Sequence, residues 1–349
     1  MKIAVFTGSD LRNYGGGEKD VINWVTRLND ELDITIFTPE DKDKTHHRIK
    51  REDLPDMNIV WYKGKKIRLL KDILPLQKFD LSGYDKVYSM CQGFLLNRKL
   101  MHQSKKFLLG IHAQSTLAKQ PIESKLWKRI FFKILYPINI HYIKKAAEIR
   151  IQNKDDKRRL FEIGFEGKIW NVPPSMFDTT PEPIMPWEFF VIWFNRVTPE
   201  KRPEKLLEIA QHLKDVKFCA IGSGPLSFML KVRKNIEYLG FLPEEQLSDM
   251  LRKASLCVMT SRGENFGMSA IEAQAYGVPT LSYNVMGLRD YNETVEDITE
   301  MVKRILDYKN EFLKDKEGYM MRRKLLRDYT LREFSNKVVI PQIKEMITK

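Results

Sequence analysis

Residues 2–38 read KIAVFTGSDLRNYGGGEKDVINWVTRLNDELDITIFT, and they settle the class of the fold. Lys2–Thr7 is a compact apolar run rich in β-forming residues, which predicts a buried strand. The three glycines 15–17 follow, and apolar residues then recur at helical spacing from Val21 to Leu28. Asp33–Thr38 predicts a second strand. A strand, a glycine loop, a helix and a strand form one βαβ unit, which implies a parallel sheet.

The same alternation runs along the first half of the chain. Further strands are predicted at 59–62, 86–90, 106–111, 148–152 and 168–172. Five prolines then crowd one short segment, at positions 173, 174, 181, 183 and 186. A segment this rich in proline cannot form regular structure, so we place a linker there.

The alternation restarts after the prolines. Phe189–Phe194 is a predicted strand, the last clear strand is Thr280–Tyr283, and the chain after Asp290 is predicted to be helical to its end. The fold class is therefore α/β, with two doubly wound Rossmann-like lobes facing each other across a cleft. The expected domains are 1–178, 179–325 and a C-terminal helix, 326–349, that packs back on the first domain.

Length and composition agree with two globular domains. The chain has 349 residues, more than the roughly 250–300 at which a single core stops growing. Hydrophobic residues make up 43% and charged residues 30%, which excludes a mainly disordered chain. Three cysteines are too few for a disulfide framework, and no segment reaches the roughly 18 apolar residues of a membrane span. Since no apolar signal peptide opens the sequence, we expect a cytoplasmic protein.

The positive charge is concentrated in the first half of the chain. Residues 57–150 hold 19 Lys and Arg against 5 Asp and Glu. Such a surface predicts an anionic partner: nucleic acid, an anionic membrane or an acidic substrate, with a merely solvated basic surface as an equal alternative. Residues 127–136, WKRIFFKILY, mix cations with large apolar groups, as an interfacial helix or a core-facing helix would. We favour an anionic membrane surface and peripheral binding at its cytoplasmic face, and expect no nucleic acid.

Residues 260–272, TSRGENFGMSAIE, join a predicted strand to a predicted helix. At such a junction, backbone N–H groups point towards an anion and the helix dipole favours negative charge. Glu264 and Glu272 are the two carboxylates of the segment, and Gly267 permits close approach of a ligand. Ser269 to Glu272 also fits a capping box, in which Glu272 only caps the helix. Cap and ligand are equal alternatives for Glu272 on this pattern alone.

Two cations follow the first strand of the same lobe. Arg196 and Lys201 flank Val197–Glu200, so both are expected at the same edge of the sheet as the Glu264 loop. A planar guanidinium and a compact ammonium beside a helix N-terminus suit a diphosphate. An ordinary exposed pair with Glu200 is the alternative.

These motifs resemble the retaining glycosyltransferases of family 4, the group 1 type with the GT-B fold. The resemblance covers roughly residues 1–290 and rests on segments in both lobes: 15–17, 110–112, 148–153, 195–201, 222–225, 238–241 and 264–279. The most specific is the pair of glutamates, Glu264 and Glu272, with Phe-Gly between them. Two departures are Asn195, where glycine is usual, and Val172–Ser175, which replaces a Pro-Asn-Gly run.

The resemblance implies a metal-independent enzyme that transfers a sugar from a UDP- or GDP-sugar to an acceptor, with retention at the anomeric carbon. It implies catalytic roles for Glu264, His112, Arg196 and Lys201. The implied donor-binding residues are Gly16, Gly17, Arg196, Lys201, Gly240, Phe241, Glu264, Asn265, Phe266, Gly267, Met268 and Glu272. No cofactor is expected, and Asp41-Lys42-Asp43 is interpreted as solvated surface. The acceptor is expected to be a glycan or a lipid-linked glycan, used in glycan biosynthesis.

Other classes of protein fit the sequence less well. A glycoside hydrolase also needs two carboxylates but has no use for the two cations and an anion-binding helix N-terminus. A dinucleotide-dependent oxidoreductase needs its glycines directly after the first strand, whereas here Ser9–Tyr14 intervene. A non-catalytic membrane- or nucleic-acid-binding protein on the same fold explains the basic first half and leaves Glu264 and Lys201 unexplained.

Overall fold

A computed structural model describes residues 1–13, 15–40, 49–67, 72–75, 78–90, 94–103, 106–112, 117 and 126–349. The chain forms two compact units. The first comprises Met1–Met176 and Asn336–Lys349, and the second comprises Phe177–Ser335.

The first unit is built on a seven-stranded sheet in which every pairing is parallel. Its strands are β1 (Lys2–Phe6), β2 (Asp33–Pro39), β3 (Asn58–Tyr62), β6 (Lys86–Ser89), β7 (Phe107–Gly110), β8 (Glu148–Ile151) and β9 (Lys168–Asn171). A small antiparallel pair, β4 (Gly64–Ile67) and β5 (Asp72–Pro75), lies outside this sheet. The strand order is β3-β2-β1-β6-β7-β8-β9, so the direction of winding reverses between β1 and β6.

Helices cover both faces of this sheet. They are α1 (Gly16–Leu28), α2 (Phe94–Gln103), α3 (Leu126–Lys144), α4 (Lys154–Glu162) and the C-terminal α10 (Asn336–Thr348). Although it is distant in sequence, α10 buries Val339, Ile343 and Met346 completely in one core with α1. Lys86, itself buried, donates to the Met346 carbonyl at 2.8 Å and ties the end of α10 to the sheet.

The second unit repeats the design with six parallel strands. They are β10 (Phe190–Phe194), β11 (Lys217–Ile221), β12 (Ile236–Gly240), β13 (Leu256–Met259), β14 (Thr280–Tyr283) and β15 (Glu293–Val295). Its helices are α5 (Pro203–His212), α6 (Glu244–Lys253), α7 (Met268–Ala275), α8 (Ile298–Lys314) and α9 (Lys316–Phe334). The order β12-β11-β10-β13-β14-β15 reverses its winding between β10 and β13.

Two features differ from the sequence-based expectations. The chain after Asp290 is not helical throughout, because Glu293–Val295 forms edge strand β15 beside β14. Residues 326–335 lie in the second unit, whose α9 runs on to Phe334, and only the chain from Asn336 joins the first. The side chain of Arg323, on α9, is buried and donates to three backbone carbonyls of the second unit, which holds α9 there.

Among the residues described, none of the helices combines the length and the apolar character that a membrane crossing requires.

Candidate functional site

The second unit brings the predicted residues together where its sheet changes winding direction. The loop after β10 carries Arg196 and Lys201, and the loop after β13 carries Glu264. Because β10 and β13 are adjacent and parallel, both loops leave the same edge of the sheet. The carboxyl ends of strands at such a reversal are the usual ligand-binding position of doubly wound sheets.

A chain of hydrogen bonds fixes the backbone at Lys201. Indole Nε1 of Trp193, on β10, donates to the Thr260 hydroxyl at 2.9 Å, and that hydroxyl donates to the Lys201 carbonyl at 2.7 Å. Trp193 and Thr260 are fully buried. The ends of β10 and β13 therefore determine where the Lys201 side chain starts.

Lys201 and Glu264 form an ion pair in which Nζ contacts Oε1. Each side chain is 14% exposed, so the pair is largely shielded from water while its edge remains accessible. The Ser261 hydroxyl donates to the same Oε1 at 2.6 Å. Glu264 is thus held by two side chains, and an anion arriving beside Lys201 would meet a cation that is already positioned.

Arg196 is placed differently from Lys201. Its side chain is 57% exposed, and its guanidinium lies 3.8 Å from a Glu200 carboxylate oxygen. The exposed pair with Glu200 is therefore present, as the alternative interpretation of the sequence had it. An exposed pair of this kind is weak, and Arg196 can reorient towards a ligand at little cost.

The loop after β13 ends at Gly267, which precedes α7 in the left-handed conformation with φ of +87°. A side chain is unfavourable here because of this left-handed backbone, and also because a Cβ would lie 2.4 Å from Leu288 Cδ2. Asn265 is half-buried, and Phe266 is buried against the rings of Tyr291 and Phe334, which anchors the loop.

The position of Gly267 corrects the capping-box interpretation of Glu272. Since α7 begins at Met268, Ser269 lies inside the helix and cannot cap it, and Gly267 provides no side-chain cap. The first N–H groups of α7 are therefore not satisfied by a side chain at the cap position. Glu272 lies in the second turn and is half-buried.

Two glycines after β11 serve backbone packing. A Cβ on Gly222 would lie 1.9 Å from the Asn195 carbonyl oxygen, and one on Gly224 would lie 2.3 Å from that of Val197. Because these two glycines carry no Cβ, the two loops can approach closely enough for the Val197 N–H to donate to the Ser223 carbonyl at 2.9 Å. The glycine motif at 222–225 thus shapes the loop that carries Arg196.

Gly240 ends β12 with φ of +71°, and open space lies where its Cβ would be. Phe241 follows and is 55% exposed. These residues form an accessible rim at the end of the strand. In the first unit, Gly16 and Gly17 open α1, and a Cβ on Gly17 would lie 3.3 Å from Met90 Cε.

His112 lies just beyond β7, is half-buried, and has a hydrogen-bond partner among the described residues. Its Nε2 lies 2.6 Å from the Tyr88 hydroxyl. Burial, with the positive charge of Arg150, holds the pKa of His112 well below its usual 6.5. The imidazole is therefore neutral at pH 7.

The two cysteines that the structure describes, Cys219 and Cys257, carry no reactive site. Burial raises the pKa of Cys219 to about 11 and raises that of Cys257 further, so both are protonated, unreactive thiols. Asp41-Lys42-Asp43, His46-His47 and Cys91 lie outside the described residues.

Comparison with known proteins agrees with this geometry. Residues 182–324, most of the second unit, match the family of glycosyl transferases group 1. The crystal structure of Anabaena Alr3699/HepE in complex with UDP and glucose superposes with a TM-score of 0.73 at 14% identity, covering 99% of each chain. The fold is GT-B.

Two sequence relatives carry the word glycosyltransferase in their names. The uncharacterized glycosyltransferase MJ1178 of Methanocaldococcus jannaschii is 24% identical over 285 residues, 78% of this chain and 76% of that protein. A D-inositol 3-phosphate glycosyltransferase of Mycobacterium sp. (strain KMS) is 34% identical over 116 residues, 30% of this chain. The alignment spans 26% of that relative's length. The second unit is therefore similar to the group 1 glycosyl transferases, and the chain as a whole is similar to structures with the GT-B fold.

Several residues that shape these GT-B sites escape sequence reasoning. The Ser261 hydroxyl donates to the Glu264 carboxylate. Its position three residues before Glu264 is the sequence feature that could have predicted this hydrogen bond. Asp20 and Arg150 form a buried ion pair, and Arg150 also donates to the Tyr88 hydroxyl. Because 130 residues separate Asp20 from Arg150, no local sequence pattern indicates the pair. Arg202 has a left-handed backbone, with φ of 53°.

Proposed function

We propose that the protein is a retaining, metal-independent glycosyltransferase that transfers a sugar from a nucleoside-diphosphate sugar. The observation that carries the proposal is the Lys201–Glu264 pair beside the N-terminus of α7, at the reversal of the second sheet. The named relatives and the UDP and glucose in the HepE structure support the same chemistry.

The proposed reaction separates charge along one bond. As the bond from the anomeric carbon to the diphosphate breaks, the sugar gains oxocarbenium character and the diphosphate gathers negative charge. Lys201, Arg196 and the N–H groups of Phe266, Gly267 and Met268 meet that growing charge, so they stabilise the transition state more than the ground state. Glu264 contacts the transferred sugar, Glu272 holds the ribose hydroxyls, and Gly240 and Phe241 border the base.

The first test is thermal unfolding with UDP, GDP, ADP, NAD or buffer, each with and without EDTA. A ligand that binds only the folded protein raises the melting temperature by mass action. We expect a shift with UDP or GDP that EDTA leaves unchanged. A shift that EDTA abolishes contradicts metal independence, and no shift with any diphosphate favours the non-catalytic binder.

The second test separates the site from the fold. Lys201→Ala and Glu264→Ala should each lower transfer by about 10²–10³ or more and leave the protein folded. Lys217→Ala is the matched control, because Lys217 also pairs with a glutamate of the second unit but opens β11 at the opposite edge of the sheet. Wild-type transfer by a folded Lys201→Ala protein would contradict the assignment. Proton NMR of the product reports whether the anomeric configuration is retained.

We further propose that the first unit binds an anionic membrane surface, where a lipid-linked glycan would be the acceptor. On α3, Ile134 and Ile138 are 65% and 43% exposed, Lys133 and Lys144 are exposed on the same helix, and exposed Lys145 directly follows it. Exposed isoleucines among lysines suit an interface of anionic headgroups.

Vesicle sedimentation tests the membrane proposal. We expect binding to phosphatidylglycerol vesicles but not to phosphatidylcholine vesicles, weakening as salt rises. Ile134→Asp should reduce it, whereas the control Val232→Asp changes an equally exposed apolar residue of the second unit. Equal binding to both vesicle types, or to neither, would contradict the proposal.

A further inference from the structure

A row of four side chains crosses the first sheet and ends at His112. Asp20 lies on α1, Arg150 on β8 and Tyr88 on β6. Arg150 Nη1 lies 2.9 Å from Asp20 Oδ2 and 3.2 Å from the Tyr88 hydroxyl oxygen. That hydroxyl lies 2.6 Å from Nε2 of His112. Asp20, Tyr88 and Arg150 are fully buried.

The buried pair is held from several sides. Besides Asp20, the Arg150 guanidinium donates to the carbonyls of Val172, at 3.0 Å, and Pro173, at 2.6 Å. Asp20 Oδ1 accepts from the Ser175 backbone N–H at 2.7 Å. Although burial opposes its charge, Asp20 raises the pKa of Arg150, so the guanidinium remains a donor. The Arg150 guanidinium that faces Tyr88 is therefore held in one position and stays positively charged.

Counting donors assigns the direction of the Tyr88 hydrogen bond. Arg150 has only donors, so the Tyr88 oxygen must accept from it. Of the two partners that the structure gives this hydroxyl, only His112 can accept, so the hydroxyl proton is assigned to His112. Burial raises the pKa of Tyr88 to about 12, which keeps that proton in place. Nε2 of His112 must accept this bond, and a neutral imidazole that accepts at Nε2 carries its proton on Nδ1.

Gly110 leaves room for this bond. A Cβ on Gly110 would lie 2.6 Å from both the Tyr88 hydroxyl oxygen and His112 Nε2. The glycine two residues before His112 thus admits both rings to one small space. This contact is independent evidence that the chain is built around the Tyr88–His112 hydrogen bond.

We infer that Tyr88, fixed by the Arg150–Asp20 pair, is a positioning residue that holds His112 neutral as the Nδ1–H tautomer. The ring then presents a hydrogen-bond donor to its ligand and cannot accept a proton at Nε2. This rests on the proposed function in one respect: the ligand that His112 meets is a sugar, through one of its hydroxyl or ether oxygens. His112 would orient that oxygen, and some other group takes the proton of the acceptor.

In the part of the chain that the structure describes, Tyr88, Arg150 and Asp20 are the charged and titratable groups of the row that ends at His112. Tyr88 on β6 donates to it, and Arg150 on β8 repels a second positive charge. Asp20 on α1 is engaged with Arg150 and Ser175. Protonating His112 would place an N–H donor opposite the hydroxyl proton of Tyr88, which breaks the bond.

The test reads the tautomer directly. In protein labelled with ¹⁵N-histidine, the His112 signals are assigned by their loss in His112→Asn, and their shifts report which nitrogen carries the proton. We expect Nδ1–H and no titration between pH 6 and 8. In Tyr88→Phe we expect a mixture of tautomers and a pKa that moves towards 6.5. Either an Nε2–H tautomer in the wild type or an unchanged spectrum in Tyr88→Phe overturns the inference.

Tyr319→Phe is the matched control. Tyr319 is also buried and donates its hydroxyl to a carbonyl, that of Ser255, within the second unit. The control loses a similar hydrogen bond, so a change in the His112 spectrum that occurs in both variants would count against a specific role of Tyr88. Should Tyr88→Phe fail to fold, Gly110→Ala, which crowds the same bond, replaces it in the measurement.

Kinetics complete the test. We expect Tyr88→Phe to lower kcat/KM about tenfold at pH 7.5 and further below pH 6.5, as His112 becomes protonated. The Tyr319→Phe protein should keep the wild-type pH profile. Wild-type kinetics in Tyr88→Phe would overturn the positioning role. A wild-type protein with the expected tautomer and no transferase activity would contradict the proposed function and leave the tautomer assignment intact.

Discussion

Each unit has an ion pair at its parallel sheet, and the two pairs differ in their exposure to water. In the first unit, Asp20 and Arg150 are fully buried. In the second, Lys201 and Glu264 are each 14% exposed. A buried pair is inaccessible to a ligand, so it can only orient its neighbours. A pair at the rim can exchange one partner for an anion, so the second unit suits charge binding and the first suits positioning.

The largest expected effect separates these two roles by stability. Arg150→Met leaves Asp20 buried without its cation and should lower the free energy of unfolding by about 3–5 kcal/mol. Lys201→Met leaves Glu264 with the Ser261 hydroxyl as a partner and should lower it less, by about 1–3 kcal/mol, while transfer is lost. Urea unfolding of both variants measures the difference. Similar losses of stability in the two proteins would refute the contrast.

The second prediction concerns two glycines, one in each unit. Gly110→Ala should cost about 1–3 kcal/mol, because its methyl group would crowd Tyr88 and His112. Gly240→Ala meets open space and should cost about 1–2 kcal/mol, from its left-handed backbone alone. The pH dependence of transfer distinguishes them. In Gly110→Ala it should show that the pKa of His112 has risen, whereas in Gly240→Ala it should match that of the wild type. The reverse pattern would show that His112 does not depend on the space at Gly110.

How much of the fold and of the candidate site the sequence predicts depends on how far apart along the chain the interacting residues lie. The alternating apolar runs predict most of the strands, because a buried parallel strand needs only a short apolar stretch. The Lys201 and Glu264 loops are also predictable, since they follow strands of one lobe. The three-residue strand β15, with sequence Glu-Thr-Val, is too short and too polar to show a pattern.

Side-chain partners were harder to predict than loops. Ser269–Glu272 satisfies the capping-box pattern, yet the cap position is Gly267, two residues before Ser269. Its left-handed backbone, with no room for a Cβ beside Leu288, suits glycine there. In the sequence, Arg150 is only a charged residue within the strand Glu148–Ile151, and nothing beside it indicates a buried partner. Its partner lies 130 residues away, and only the three-dimensional fold joins them.

The third prediction is a dependence of stability on pH from the first unit. The folded-state pKa of His112 lies below 6.5, so as pH falls through 6.5 the unfolded chain binds a proton that the folded protein does not. Stability should therefore fall with pH there, by up to about 1.4 kcal/mol per pH unit, and be unaffected by His112 above about pH 7.5. Unfolding of wild type and His112→Asn between pH 5 and 8 measures this. Parallel curves would contradict the low pKa.

The smallest expected effect lies in the second unit, beside Lys201. Arg202 has φ of 53° and ψ of 59°, a left-handed conformation that costs a residue with a Cβ about 1–2 kcal/mol. Its guanidinium lies 4.9 Å from the centre of the Tyr283 ring, and such a contact returns only about 0.5–1 kcal/mol when it is exposed. Arg202→Gly should therefore raise the stability slightly, by about 0.5–1 kcal/mol, as measured by urea unfolding. A loss of stability would mean that the stacking outweighs the strain, and that the second unit also orients its rim through a fixed arginine, as the first does through Arg150.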